Sequence, residues 1–371
     1  MPSKVYFTDM RCRMGESLLT KMDRLVRAAG IGDIDMDKRF VAIKMHFGEL
    51  GNLAFLRPNY AKVLADIVKE KGGMPYLTDC NTLYPGSRKN ALEHLDCANM
   101  NGFNPTTTGC QIVIGDGIRG TDDVEIPIDG RYVKAAKIGR GIADCDVLIT
   151  LNHFKGHEVT GMGGAIKNLA MGCASRRGKM EMHSNGIVHL DDDKCIGCRR
   201  CLKACAQGAI SMEDGKASVD EAKCVGCGRC IGMCASDALF AAYDEDGSVV
   251  NCKMVEYAAA VVKDRPCFHV SVVADVSPYC DCYAGNDVPI VPNVGFLASF
   301  DPFALDRACV DLVQRQPMIP GSRLYENARG VKPGDVFGCN QPGTRWQAHF
   351  EHTQEMGLGD GSYELVDIGK S

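Results

Sequence analysis

The chain has 371 residues, 45% hydrophobic and 24% charged, with a formal net charge of −5. That is enough for two or three globular domains, and the acidic balance gives no electrostatic reason to expect nucleic acid as a partner. No apolar run approaches the ~18 residues that span a bilayer, and Met1-Pro2-Ser3-Lys4-Val5-Tyr6 lacks a signal-peptide core, so a cytoplasmic protein without a membrane span is expected.

Strands and helices alternate through the first half. Arg39 to His46 reads as a buried strand, and Arg57 to Lys71 has helical spacing, with Tyr60, Val63, Leu64 and Ile67 on one face. Met74 to Asp79 is a second strand. Ser87 is the expected N-cap of a helix reaching about Met100. Gln111 to Gly115 and Asp146 to Leu151 are further strands, and a helix is expected from Gly164 to about Met171.

Two cysteine runs follow: Cys195-x2-Cys198-x2-Cys201-x3-Cys205 and Cys224-x2-Cys227-x2-Cys230-x3-Cys234. This is the bacterial ferredoxin spacing written twice, in which the fourth thiolate of each run crosses to the other cluster. The assignment is two 4Fe–4S clusters, one on Cys195, Cys198, Cys201 and Cys234, the other on Cys224, Cys227, Cys230 and Cys205. Paired zinc knuckles are the rival, but a third cysteine at this interval has no role in a four-ligand zinc site. Ala206 and Ala235 stand where such runs carry Pro, which supplies no ligand. Lys194-Cys195-Ile196-Gly197-Cys198 repeats as Lys223-Cys224-Val225-Gly226-Cys227. Each half is expected to form a cluster loop, a short helix and a hairpin, turning at Glu213-Asp214-Gly215 and Glu245-Asp246-Gly247. Ile196 and Val225 are expected to pack beside the clusters and limit water access.

Beyond the runs, Lys253 to Lys263 looks helical and Phe268 to Val276 reads as a strand. A segment opens at Pro289 and runs to Ala298; Phe303 to Val313 and about Arg345 to Met356 are helices. The expected fold class is α/β: a mostly parallel sheet with helices on both faces, plus an inserted small α+β ferredoxin-like two-cluster module. Residues 1–185 and 251–371 form one α/β domain and its tail, and residues 186–250 the module. Of the twenty cysteines, the twelve outside the runs are expected to be free thiols in a reducing cell, with Cys145, Cys252, Cys267 and Cys309 as small core residues. Clusters and free thiols together suit an anaerobic or microaerobic cell.

Ligands of α/β sheets bind beyond the carboxyl ends of the strands. Four strands end in polar groups: His46-Phe47-Gly48-Glu49 with Asn52, Asp79-Cys80-Asn81-Thr82-Leu83-Tyr84 with Arg88, Asn152-His153-Phe154-Lys155-Gly156-His157, and Ser277-Pro278-Tyr279-Cys280-Asp281-Cys282. They are expected to converge on one cleft, although surface loop chemistry explains any one of them alone. Thr160 to Asn168 is a Gly-rich entry to a helix. It could bind a carboxylate or phosphate with Lys167 adding charge, or simply pack tightly. Cys173, Cys280 and Cys282, near His153, His157 and His183, could hold an additional metal ion, act as reactive thiols, or lie packed under a loop.

The strings Ile43-Lys44-Met45-His46-Phe47-Gly48-Glu49, His153-Phe154-Lys155-Gly156-His157, Gly163-Gly164-Ala165-Ile166-Lys167-Asn168 and Asp301-Pro302-Phe303-Ala304-Leu305-Asp306 resemble the family called domain of unknown function 362. Its members often carry a bacterial-type ferredoxin module. The resemblance runs to about residue 340 and implies an iron–sulfur protein of anaerobic metabolism, without naming a reaction. It marks His46, Asn52, Asp79, Arg88, His153, Lys155, His157, Lys167, Asn168, Cys173, Cys280, Asp281 and Cys282 as cleft candidates.

The favoured expectation is an oxidoreductase that passes electrons between its clusters and the cleft. His46, His153 and His157 would move protons, with Asp281 beside them; Lys155, Lys167 and Arg88 would hold a small anionic substrate. The alternatives are an electron carrier or subunit docking a redox partner protein, and a metal- or cofactor-handling protein using Cys173, Cys280 and Cys282. Two clusters alone need about 55–60 residues, near the lower limit of independent folding, so the remaining chain argues for chemistry in the cleft.

Overall fold

The computed structural model describes residues 2–184 and 186–369. Residues 1, 185 and 371, at which expected domain limits fall, lie outside the described residues. Eight strands build one sheet: β1 (Ser3–Asp9), β2 (Phe40–Lys44), β3 (Met74–Asp79), β4 (Gln111–Ile114), β5 (Val147–His153), β6 (Cys267–Val273), β7 (Gly295–Ser299) and β8 (Tyr363–Asp367). Their order is β8-β1-β7-β6-β5-β2-β3-β4. Only β7 runs against the rest, pairing antiparallel with β1 and β6. The other neighbours are parallel.

Helices cover both faces, as the strand pattern requires. Alternate residues of a strand point to opposite faces. Val41 and Ile43 of β2 pack with helices α1 (Leu18–Ala28) and α2 (Pro58–Glu70), whereas Ala42 between them packs with α4 (Ala165–Cys173) and α5 (Gly247–Val262). Towards the β1 edge the second face is covered by α6 (Pro302–Arg315). Strands buried on both sides read as continuous apolar runs, and β5 and β6 are buried at every position.

Three elements depart from expectation. Helix α3 (Ala91–Met100) is capped by Asn90, whose side chain accepts from the Glu93 N–H; Ser87 instead donates its N–H to the Glu49 carboxylate. Helix α5 begins at Gly247 and crosses the boundary expected at residue 250. Glu245-Asp246-Gly247 is its start rather than a hairpin turn, because the Asp246 carboxylate caps the Ser248 N–H. The first cysteine run contains the short helix Arg200–Ala204 and is followed by a hairpin of Ile210–Glu213 with Lys216–Val219. The second contains the short helix Arg229–Met233, but the strand after it, Leu239–Ala241, pairs back to Val188–Leu190. The tail helix Ala348–Glu355 lies along α5, where the buried Glu256 carboxylate accepts from His352 Nε2 at 2.8 Å.

Candidate functional site

The four polar strand ends meet in one cleft of about 370 Å³. Its wall includes His46 after β2, Asp79 at the end of β3 and Arg88 beyond it, His153 at the end of β5 with Lys155, His157 and Glu158 beyond it, Lys167 and Asn168 of α4, and Cys280 to Cys282 after β6. Five cationic side chains (Lys44, Arg88, Lys155, Lys167, Lys179) face three carboxylates (Asp79, Glu158, Asp281). The balance favours an anionic occupant.

A buried network forms the floor. Lys44 Nζ lies 3.0 Å from Asp79 Oδ1 and donates to Asn168 Oδ1 at 2.6 Å. Arg88 reaches Asp79, Glu49 and the Tyr84 hydroxyl. Burial pushes the Asp79 carboxyl up, but Lys44, His94 and Arg88 outweigh it and its pKa is lowered. Asn168 also donates to the Lys44 and Leu151 carbonyls, tying α4 to β2 and β5.

His153 is held at both ring nitrogens. Nδ1 meets the Asp281 carboxylate at 2.9 Å and Nε2 the Ala274 carbonyl at 2.8 Å. Both partners are acceptors, so the ring satisfies both contacts only when it carries two protons. That corrects its expected role: His153 anchors Asp281 and offers no free nitrogen for proton transfer. Burial pushes the Asp281 carboxyl up, yet His153 and Lys155 lower its pKa below the ordinary value, and Lys155 Nζ lies 3.5 Å from Oδ2. Asp281 is thus held on both sides, by His153 and by Lys155. His157 Nδ1 accepts from the Val159 and Thr160 N–H groups, which places the ring proton on Nε2. His46 Nδ1 accepts from the Gly48 N–H in the same way. Burial, then nearby Arg88, drives the His46 pKa well down.

Cys280 is the polarised thiol of the cleft. A hydrogen bond from the Cys282 thiol, with Lys167, His157 and Lys155 beside it, holds its pKa well below the ordinary value in spite of burial. Lys167 Nζ stands 3.1 Å from the Cys280 sulfur and the Cys282 N–H 3.4 Å. The same contact, then burial, pushes Cys282 up. Cys173 is elsewhere: it is buried, hydrogen-bonded to the Asn168 carbonyl, and pushed up to about 12 by burial. It does not line the cleft with Cys280 and Cys282, because it belongs to the apolar layer between α4 and the sheet. Among the described residues no three His, Cys, Asp or Glu side chains converge tightly enough to ligate one ion.

Two other expectations change. Asn52 lies outside the cleft wall, where its side chain accepts from the Ala54 N–H and donates to the Tyr283 carbonyl. The Gly-rich segment offers no free helix N-terminus, because the Asp306 carboxylate takes the Ala165 and Ile166 N–H groups at 2.7 and 2.9 Å. Lys44, Lys179 and Tyr243 line the cleft without having been singled out in the sequence. Lys44 sits in an apolar strand, and Tyr243 follows the second cysteine run.

The eight cysteines of the two runs surround two small cavities. Cys195, Cys198, Cys201 and Cys234 line one, and Cys205, Cys224, Cys227 and Cys230 the other. Backbone N–H groups donate to the sulfurs: Ala217 to Cys195 at 3.4 Å, Ala209 to Cys205 at 3.3 Å, and Ala238 to Cys234 at 3.2 Å. Gly197 and Gly226 both have left-handed φ, at 65° and 63°, and a Cβ on either would collide with a backbone carbonyl, of Gly215 and Gly186. The repeated glycine is therefore required. Ile196 and Val225 reach solvent, 68% and 59% exposed, and border the cavities rather than sealing them. The tight Cys-x2-Cys turn leaves no protein over them.

The second cavity sits against the α/β domain. Buried Arg176 donates to the Gly228 and Lys89 carbonyls; Gly228 leaves the space its aliphatic stem fills and Gly232 the space its guanidinium fills. Leu83 packs with Cys230 and Ile231 on one side and lines the cleft on the other. Tyr243 lines the cleft too, its ring 5.1 Å from that of His183, whose pKa burial lowers to about 3.

The class is an α/β protein with a polar cleft at the strand ends of a mostly parallel sheet. The family described as domain of unknown function (DUF362) matches residues 41–311, and the chain belongs to it. An uncharacterized ferredoxin of Methanocaldococcus jannaschii is 56% identical over 32 residues, 9% of this chain and 19% of that protein, so the chain spans under a fifth of that relative. Among solved structures, a Thermotoga maritima protein aligns over 69% of this chain and 49% of its own, at 10% identity and TM-score 0.38. The lactate racemase apoprotein of Thermoanaerobacterium thermosaccharolyticum aligns over 84% and 57%, at 12% identity and TM-score 0.42. Among the described residues no helix is long and apolar enough to cross a membrane.

Proposed function

We propose that this protein is an iron–sulfur oxidoreductase that exchanges electrons with an anionic substrate in the cleft. The observation that carries the reading is the partition of the cysteines, three from one run and the fourth of the other around each cavity. That is the crossing pattern of two-cluster ferredoxins. Cys195, Cys198, Cys201 and Cys234 would hold one 4Fe–4S cluster, and Cys224, Cys227, Cys230 and Cys205 the other. The N–H···S bonds suit thiolate ligands, and the matched ferredoxin stretch supports the same chemistry. Bound clusters supply one-electron transfer.

The chain's own residues do the rest. Lys155, Lys167 and Arg88 attract the substrate, His157 and His46 each hold a proton at Nε2, and Leu83 belongs both to the cleft wall and to the apolar cluster around the cysteines. A redox partner protein would exchange electrons at the exposed face around Ile196 and Val225.

The test is metal content with electron paramagnetic resonance on protein purified without oxygen, before and after reduction. About eight irons per chain, with signals of two coupled reduced clusters, is the expected result. Zinc without a reducible signal would overturn the proposal. Reducible clusters without turnover of any candidate substrate would favour an electron carrier instead, and turnover that survives Lys155→Met and Lys167→Met would refute the role given to the cleft.

A further inference from the structure

We infer that Cys280 and Cys282 form a reactive dithiol that reduces the disulfide of a small anionic thiol compound bound in the cleft. This goes beyond the iron–sulfur reading: the exchange stands on the cleft alone, and only the return to the dithiol draws on a reductant of that class. The turn Cys280-Asp281-Cys282 puts both cysteines in the cleft wall, with the Cys282 N–H donating to the Cys280 sulfur at 3.4 Å. Asp281 is pinned by His153 and Lys155, and the Cys280 N–H donates to Glu158 Oε2 at 3.1 Å, so the turn is anchored on either side of the sulfur. Lys167 Nζ at 3.1 Å supplies the countercharge a thiolate needs.

The groups facing Cys280 come from every neighbouring element: Lys167 from α4, Lys155, His157 and Glu158 after β5, His46 after β2, Tyr84 and Arg88 after β3, and His183 and Tyr243 from the segments flanking the cysteine runs. The excess of cations over carboxylates selects a disulfide whose substituents are acidic.

The chemistry balances as thiol–disulfide exchange. The Cys280 thiolate attacks one substrate sulfur, forming a mixed disulfide and expelling one thiolate. Cys282, giving up its proton, then attacks the Cys280 sulfur. The second thiolate leaves, taking that proton, and a Cys280–Cys282 disulfide remains. Two electrons and one proton from a reductant of the iron–sulfur class restore the thiolate–thiol pair.

The experiment mixes anaerobic, pre-reduced holoprotein, freed of reductant, with glutathione disulfide at pH 6, and follows adducts by peptide mass. Wild type is expected to form the Cys280–Cys282 bridge, while Cys282→Ser traps glutathione on Cys280. Lys167→Met should slow the reaction about tenfold, following the loss of thiolate. Cystamine, a cationic disulfide, should react more slowly than glutathione disulfide. Labelling of exposed Cys12 as fast as Cys280, or no trapped adduct in Cys282→Ser, would overturn the inference. Metal content and resonance signal are read on the same sample. Exchange without reducible iron sinks only the iron–sulfur proposal, and full clusters without exchange sink only this one.

Discussion

Replacing Asp79 with Asn tests the electrostatic floor of the cleft. The carboxylate has Lys44 at 3.0 Å, Arg88 at 3.3 Å and His94 at 3.7 Å. The Lys44 and Asp79 side chains are only 1% and 4% exposed. Removing one member of a buried pair leaves an uncompensated charge and costs about 3–5 kcal/mol. Arg88 retains Glu49, so the loss falls chiefly on Lys44. The double variant Lys44→Met, Asp79→Asn removes both charges and should recover most of that loss, a coupling of about 1–3 kcal/mol. Urea unfolding of the four proteins, each as a full chain under one buffer, measures the cycle; unfolding rates serve if refolding is incomplete. The pH dependence has a defined sign. The folded Asp79 pKa lies below the ordinary 3.8, so its contribution is present above pH 3.8 and is lost as pH falls through the folded value. Asp79→Asn as stable as wild type, or a double variant weaker than the sum of the singles, would refute the account.

Other perturbations have equally definite signs. Burial raises the Asp116 pKa to about 6 from 3.8, so stability should rise as pH falls between those values; Asp116→Asn should abolish that slope in pH-resolved unfolding. Glu256 accepts from the Arg131, Tyr132 and Val133 N–H groups and from His352. Glu256→Ala should therefore cost about 3 kcal/mol or more through unmet buried donors, and limited proteolysis should show the tail helix cleaved sooner. A Cβ on Gly156 would lie 2.6 Å from the Pro278 carbonyl oxygen. Gly156→Ala should displace the Cys280 turn and slow alkylation of Cys280 while leaving Cys12 alkylation unchanged.

The strand order of an α/β protein is only partly legible from one sequence. Apolar runs such as β5 and β6 announce themselves because both faces are buried, and the polar residues just after them marked the cleft. β1 and β8 do not stand out: most of their positions are only half-buried, so neither shows an apolar run, and their pairing depends on partners far along the chain. Cys280 and Cys282 were visible as a pair, but nothing local tells that Lys167 comes to 3.1 Å. His153 shows the converse limit. A histidine after a strand looks like an acid–base group until its second nitrogen is found on the Ala274 carbonyl. Cys173 was misplaced for a similar reason: nearness in sequence to the Gly-rich helix did not reveal that its side chain turns into the apolar layer.

Strand β1 has consequences for synthesis. It precedes both of its neighbours, Gly295–Ser299 and Tyr363–Asp367, by most of the chain. At about 5–20 residues per second, β1 leaves the ribosome some ~15–60 s before either partner exists. Both cysteine runs emerge within that interval. Iron loading, if it accompanies translation, would therefore meet an α/β sheet still open at its β1 side, with unpaired backbone that invites association with other chains.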